Sequence, residues 1–359
     1  MTVKMKTLSI CIPTYNRSTQ LEELVKSLLE VESADFEVVI TNNCSTDNTL
    51  SMLNGINDER LVVYNNTSSV PAYYNMILSI FNAQGKYALY CNDRDVIFTE
   101  RLIDFIEFLK NHEYSYLHIK KCYGVPSYKL VEYEKGFDSL LNHPYSTHPT
   151  GMVFNVELIK KHLNKDNYHK YIQDIYTWCF LCRDVVIYEK SAEYDNYLWD
   201  ERPSIYKVQS ASGSIFKRQL FFDTEKIIEF MRSVIKHLIG NPNYALTAEQ
   251  EKSLILNVFK SYNERLLGKK MYYADKRECA HYGIKPRFIS YFEMKQSYKQ
   301  YYDACDNTLK ESIYYEDLYN KWSEIKDSFL KTLFKKCLIC DKSIIMKKIR
   351  RTFNSQYRY

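Results

Sequence analysis

The chain has 359 residues, 45% hydrophobic and 26% charged, with 9 glycines and 33 tyrosines, a balance that excludes disorder, collagen-like repeats and flexible-linker architectures. The net charge of +5 is unevenly placed: Lys331 to Tyr359 holds nine Lys/Arg against one acid, leaving the first 330 residues at −3. A nucleic-acid binder is expected to carry its basic patch on the folded body, so no nucleic-acid partner is expected.

The first hundred residues alternate strand and helix patterns. Leu8-Ser9-Ile10-Cys11-Ile12, ended by Pro13, reads as a buried parallel strand. Thr19 and Glu22 have capping-box spacing at the head of a helix whose apolar face is Leu21, Leu24, Val25, Leu28 and Leu29. A strand over Phe36 to Ile40, a polar turn over Thr41 to Asp47 and a helix through Leu50, Leu53 and Ile56 follow. Leu61 to Tyr64 is a third strand, Met76, Ile77, Ile80 and Phe81 mark a third helix with Gly85 as its expected C-cap, and Tyr87 to Cys91 is a fourth strand. Such repetition predicts an α/β fold with a mostly parallel sheet flanked by helices, in which ligands bind beyond the carboxyl ends of the strands.

The residues at those ends are Thr14-Tyr15-Asn16-Arg17, Thr41 to Asp47, and Asn92-Asp93-Arg94-Asp95. No glycine-rich dinucleotide or P-loop signature follows any strand. Asp93 and Asp95, one residue apart, are mutually repulsive unless a cation neutralises them, and hard oxygen ligands suit Mn²⁺ or Mg²⁺ bridging phosphate oxygens. An ordinary acidic loop partnered by Arg94 and a nearby lysine is the bland alternative. The start, Met1 to Lys6, lacks signal-peptide character, and no window is apolar enough to span a membrane. Ten cysteines in such a chain are expected to be reduced, and the pairs Cys179/Cys182 and Cys337/Cys340 read as buried or membrane-facing thiols rather than zinc ligands.

Leu8 to Arg17, Val38 to Thr49, Asn75, Gly85-Lys86-Tyr87 and Asn92 to Asp95 stand in an order and spacing that resembles family 2 glycosyltransferases of the GT-A fold, over roughly residues 5–200. The resemblance implies an inverting, metal-dependent hexosyltransferase of bacterial surface-polysaccharide assembly. Its donor would be a nucleotide-sugar, UDP-linked, and its acceptor a saccharide, lipid-linked in some members. Pro13 and Tyr15 would flank the base, Asn16, Asn42, Asn43 and Asn75 would line the nucleotide-sugar site with Asn43 facing the base edge, Asp93 would sit near the ribose or a metal water, and Asp95 would hold the ion. Family members often carry an aspartate in the Asn42/Asn43 pair; here both are amides. Pro149 to Phe154 resembles the acceptor loop and strand, and Asp174, after Gln173, resembles the general base, with Asp166, Asp184 and Asp195 as competitors and His143 and His148 as possible acceptor-site residues.

The expected domains are a GT-A domain over 1–205 (donor site in 1–100, acceptor site in 101–205), a helical domain over 206–329 and a basic amphipathic tail over 330–359. Arg202 to Ser214 reads as a linker or a loop over the donor. Helical spacing recurs in Phe230, Val234 and Leu238, and in Leu254, Val258, Tyr262 and Leu266. In the tail, Leu330, Leu333, Phe334, Cys337, Leu338, Ile345, Ile349 and Phe353 share a face beside eight lysines and arginines, which predicts either an interfacial helix on an anionic membrane or a packed helix with a solvated basic face. The expected location is cytoplasmic, peripheral at the inner membrane face. A nucleotidyltransferase, which would carry a Gly-rich basic loop after the first strand, and a non-catalytic sugar-binding scaffold are the other classes considered.

Overall fold

The computed structural model describes residues 5–121, 126–143, 148–171, 177–201, 223–274 and 287–356. The chain divides into two compact units, Met1–Ala211 and Ser212–Tyr359.

The first unit is built on an eight-stranded sheet. Its strands are β1 (Leu8–Thr14), β2 (Phe36–Asn42), β3 (Leu61–Asn65), β4 (Tyr87–Tyr90), β6 (Tyr116–Ile119), β7 (Leu130–Tyr133), β8 (Met152–Asn155) and β9 (Ser191–Tyr194), in the order β3-β2-β1-β4-β8-β6-β9-β7. The pairs β3-β2, β2-β1, β1-β4 and β6-β9 are parallel, while β8 runs antiparallel to both β4 and β6, and β7 to β9. A two-stranded ribbon, β5 (Asp95–Ile97) against β10 (Trp199–Glu201), stands beside it. Residues of β1, β2 and β4 are almost wholly buried, as expected of parallel strands covered on both faces. Between them run α1 (Ser18–Leu29), α2 (Thr49–Asn54) and α3 (Ala72–Phe81), with α4 (Leu102–Lys110), α5 (Phe137–Asn142), α6 (Val156–His162) and α7 (Thr177–Val185) following.

Three local expectations change. The strand read as ending at Pro13 runs on to Thr14, with Pro13 opposite Thr41 in β2. Thr19 and Glu22 form no capping box: Arg17 is the N-cap residue, and the Ser18 N–H is taken by Asp47 Oδ2 at 3.2 Å, from the loop after β2. Asp47 also accepts from the Thr49 N–H at 3.0 Å and the Thr49 hydroxyl at 2.5 Å, so one carboxylate secures the start of two helices. Gly85 does not cap α3, which ends at Asn82; it lies where a Cβ would come within 3.0 Å of the Leu8 carbonyl carbon and the Ser9 hydroxyl. That hydroxyl accepts from the Gly85 N–H at 2.8 Å and donates to buried Glu37 at 2.6 Å.

The second unit contains α8 (Thr224–Leu238), α9 (Ala248–Ala274), α10 (Tyr291–Lys310) and α11 (Tyr315–Gln356). Phe230, Val234 and Leu238 of α8 and Leu254, Val258, Tyr262 and Leu266 of α9 are buried, as their spacing predicts. Residues 330–356 of the tail belong to α11, and the stripe read from its sequence is split. Leu333, Cys337, Cys340 and Ile344 are buried, whereas Leu330, Phe334, Leu338 and Ile345 are exposed. Lys270 of α9, 1% exposed, meets Asp341 at 2.9 Å and pins the tail to its own unit as far as that turn. Ile349 and Phe353 lie outside the described side chains, and the Arg202–Ser214 segment outside the described residues. The cysteines described are free thiols, and Cys179, Cys182, Cys337 and Cys340 are buried.

Candidate active site

The carboxyl ends of β1, β2 and β4 and the amino end of β8 share one edge of the sheet, and Asn92-Asp93-Arg94-Asp95 leaves β4 there. Asp93 is buried and accepts from the Thr14 hydroxyl at 3.0 Å, while Arg17 Nε lies 3.5 Å from the same oxygen. Burial pushes its pKa up, and Arg17, the Thr14 bond and Arg94 oppose that rise. Arg17, rather than Arg94, is therefore the ion-pair partner, and it comes from the neighbouring strand end.

Asp95 is 1% exposed and opens β5. Its Oδ2 accepts from the Thr150 hydroxyl and from Asn92 Nδ2 at 2.8 Å, and His148 Nε2 stands 3.6 Å away. The Thr150 hydroxyl in turn accepts from the Asn92 N–H at 3.0 Å, and the Tyr90 hydroxyl donates to Asn92 Oδ1 at 2.9 Å. His148 stacks on Trp199 with ring centroids 5.0 Å apart, and Trp199 Nε1 donates to the Ile119 carbonyl at 2.8 Å. Gly151 permits this packing: at φ +92° a Cβ there would fall 2.2 Å from Trp199 Nε1.

The nucleotide-side residues form a second network. Tyr15 is 38% exposed, so its ring presents a stacking face, and Pro13 precedes it on the strand end. Asn16 occupies the left-handed region at φ 52°, which asparagine tolerates, and its Oδ1 accepts from the Thr46 N–H at 2.7 Å, binding the first loop to the second. Asn42 donates to Asn65 Oδ1 at 2.9 Å and accepts from the Ser45 N–H at 3.1 Å. Asn43 Oδ1 accepts from the Val70 N–H at 2.9 Å and from Asn66 Nδ2 at 3.0 Å, and its Nδ2 donates to the Val70 carbonyl at 2.8 Å. Asn66 also donates to Asn75 Oδ1 at 2.8 Å, and Asn75 to the Thr41 carbonyl at 3.1 Å. Asn43 is thus occupied in a way the sequence did not suggest. A carbonyl already accepting two bonds has no lone pair left for a base imide N–H, so the amide braces the loop over residues 66–70.

On the acceptor side, Asp174 lies outside the described residues. Of the other candidates, Asp166 accepts from the Tyr74 hydroxyl at 2.9 Å, Asp184 from the Tyr168 hydroxyl at 2.7 Å and Asp195 from the Ser127 hydroxyl at 2.5 Å. His143 is buried between Tyr116 and Tyr133, with Nδ1 2.8 Å from the Ser191 hydroxyl, and is a core residue rather than an acceptor contact. His148 does reach the site, through Asp95.

Among the described residues no group of three or more His, Cys, Asp or Glu side chains converges on one ion position. The donors present still fit Mn²⁺ or Mg²⁺, which are commonly held by one or two carboxylates plus substrate phosphates and water. Asp95 with His148 beside it, and Asp93 whose ionised form is disfavoured by burial, make a hard O/N set next to which a cation is stabilising. Thr14, Arg17 and Thr150, which the sequence places in the strand-end and acceptor-loop segments without individual roles, join the site, as do Asn66 and Trp199, which it did not single out. The neighbourhood of Thr150 to Gly151 and of Thr14 to a strand end was the one available signal.

A mostly parallel sheet flanked by helices, with carboxylates beyond one strand end beside an exposed ring and a braced polar loop, is a GT-A-type architecture. Residues 9–173 match the family model described as Glycosyl transferase family 2. Among curated proteins, the chain is 31% identical over 122 residues to the poly(ribitol-phosphate) beta-N-acetylglucosaminyltransferase TarS of Staphylococcus aureus, 32% of this chain and 21% of TarS. It is 30% identical over 130 residues to the abequosyltransferase RfbV of Salmonella typhimurium, 33% of this chain and 37% of RfbV. It is 26% identical over 125 residues to the UDP-Glc:alpha-D-GlcNAc-diphosphoundecaprenol beta-1,3-glucosyltransferase WfaP of Escherichia coli, 34% of this chain and 50% of WfaP. The matched segments therefore span a fifth to a half of these relatives. The crystal structure of S. aureus TarS 1–349 in complex with UDP-GlcNAc superposes with a TM-score of 0.52 over 96% of this chain and 92% of that one, at 16% identity, which shows a shared fold.

Proposed function

We propose that the protein is an inverting, metal-assisted hexosyltransferase that moves a sugar from a UDP-linked donor to a lipid-linked saccharide in bacterial surface-polysaccharide assembly, in the cytoplasm at the inner membrane face. The observation that carries this reading is the buried pair Asp93/Asp95 beyond β4, each carboxylate held by donors from a different strand end. The UDP-GlcNAc complex of TarS supports the donor class, and the name of WfaP supports a diphosphoundecaprenol-linked acceptor. In this reading Tyr15 stacks on the base, Pro13 shapes its edge, and Asn16, Asn42, Asn43 and Asn75 hold the loops that wall the nucleotide. Asp95 and Asp93 hold the divalent ion, with His148 beside Asp95. A bound ion there would offset the charge of the departing nucleoside diphosphate. Arg17, 30% exposed beside Asp93, adds a fixed positive charge on the same side. Asp174 takes the proton of the acceptor hydroxyl as its oxygen attacks the anomeric carbon and the bond to the diphosphate breaks on the opposite face.

The test is UDP release from a panel of UDP-sugars with Mn²⁺ and a saccharide acceptor. Asp95→Ala should abolish metal-stimulated release while the protein remains folded. Asp174→Asn should lower transfer by about 10²–10⁴-fold yet keep calorimetric donor binding. Normal turnover by the Asp95 variant, or full activity in excess chelator, would remove the metal from the reading; normal transfer by Asp174→Asn would place the base elsewhere.

A further inference from the structure

The split stripe of α11 leaves two adjacent faces with opposite fates. Leu333, Cys337, Cys340 and Ile344 recur at intervals of three and four and are buried within the helical unit. Leu330, Phe334, Leu338 and Ile345 recur at four, four and seven, share the neighbouring face and are exposed, Phe334 to 60% and Ile345 to 55%. One residue further round lie Lys331, Lys335 and Lys342, all exposed. The apolar strip continues onto α10, where Phe292, 79% exposed, faces a groove of about 470 Å³ shared with Leu330. Lys295, Lys299 and Lys326 line the same groove together with Asp303 and Asp306. Lys326 is neutralised by Asp306 at 2.8 Å.

We propose that this face is a docking surface for an anionic phospholipid bilayer. Its exposed leucine, isoleucine and phenylalanine side chains enter the headgroup boundary, and the Lys331/Lys335/Lys342 row meets the lipid phosphates. Charge complementarity selects this occupant. Residues 331–359 carry nine bases and one acid, and that acid, Asp341, is spent on Lys270. A second copy of the same face would set the lysine rows against one another. The surface draws its benefit from the proposed transferase function, since a lipid-linked acceptor is confined to the membrane, but its residues lie in the second unit, outside the donor-site residues.

The experiment uses the full chain and vesicles of equal parts phosphatidylglycerol and phosphatidylcholine, against pure phosphatidylcholine. The protein should co-sediment with the anionic vesicles only, and 0.5 M NaCl should weaken the binding because exposed charges are screened. Lys331→Glu/Lys335→Glu/Lys342→Glu and, separately, Leu338→Ser/Ile345→Ser should each lower the partition coefficient at least tenfold, while the corresponding three Lys→Arg changes retain it. The affected side chains are exposed, so the melting temperature of each variant should stay at the wild-type value. UDP-sugar hydrolysis without acceptor should be equal in all forms. Wild-type vesicle binding by the serine and glutamate variants overturns the proposal, as does a wild-type dimer that the serine variant dissolves while vesicle binding persists. Absence of UDP-sugar turnover in every form, with the vesicle pattern intact, overturns the transferase reading and leaves the docking surface standing.

Discussion

Thr150→Val replaces a hydroxyl by a methyl of nearly the same shape at a fully buried position, and so isolates what that hydroxyl does. Two bonds disappear: the donation to Asp95 Oδ2 and the acceptance from the Asn92 N–H at 3.0 Å. A hydrogen bond to a charged group is worth about 1.5–3 kcal/mol, and a buried N–H left unsatisfied costs about 1–3 kcal/mol. Because the two losses share an atom, they do not simply add, and about 3–5 kcal/mol is expected. For a unit of this size each kcal/mol moves the melting temperature by about 2–4 °C, so its transition should fall by on the order of 10 °C. Thr150→Ser keeps the hydroxyl and should recover most of that loss. The chemical consequence is separate: Asp95 loses the donor that fixes its carboxylate, so half-maximal Mn²⁺ for UDP release should rise severalfold in the valine form and return in the serine form. Differential scanning calorimetry with a Mn²⁺ titration of UDP release reads both. A valine variant with wild-type melting and wild-type metal dependence would refute the role given to Thr150.

Acid should destabilise the first unit through His118. Burial, aided by Lys120 and His148, pushes its pKa down to about 4 from 6.5, so the unfolded chain binds the proton first and stability is lost as pH falls from 6.5 towards 4. Between pH 7 and 4.5 this group alone contributes about 2–3 kcal/mol, and His118→Leu should flatten urea-melt stability over that interval by this amount; an unchanged slope would refute the assignment. In the second unit, Asp341→Ala removes the carboxylate from buried Lys270, leaving the Phe288 ring 4.5 Å from its ammonium, and should cost about 2–4 kcal/mol. Fluorescence of buried Trp322 through a urea titration measures it, and an unshifted midpoint would show that the tail is not pinned there.

The parts legible in the sequence are those governed by short-range pattern. β1, β2, β4 and the buried faces of α1, α8 and α9 follow from apolar runs and helical spacing, because each element must bury one face wherever the rest of the chain goes. What escaped was decided by long-range partners. Asp47 caps α1 from across the sheet edge, so the local capping-box signal at Thr19 and Glu22 lost to a stronger acceptor. β5 is three residues long and exists because β10 pairs with it some hundred residues later. Asn43 looked like a base-reading side chain because its neighbours match a nucleotide loop, yet its carbonyl was already claimed by Val70 and Asn66. The tail stripe read as continuous because apolar spacing alone cannot distinguish the face of α11 that packs from the neighbouring face left exposed.

The spacing of Asp93 and Asp95 acquires its meaning from the order of the strands. β4 lies between β1 and β8, so the turn leaving it stands between two loops. Asp93 is tied to the β1 side by Thr14 and Arg17, where Tyr15 and the asparagine network stand. Asp95, one residue further and opening β5, is tied to the β8 side by Thr150, next to Gly151 and the Trp199–His148 stack. One intervening residue is what permits two carboxylates on the same short segment to engage opposite loops. In the proposed reaction the first loop belongs to the donor nucleotide and the second to the acceptor, so this segment is in contact with both. Because the Thr150 hydroxyl holds Asp95 directly, the valine substitution there, far in sequence from the nucleotide loops, should alter metal dependence as well as stability.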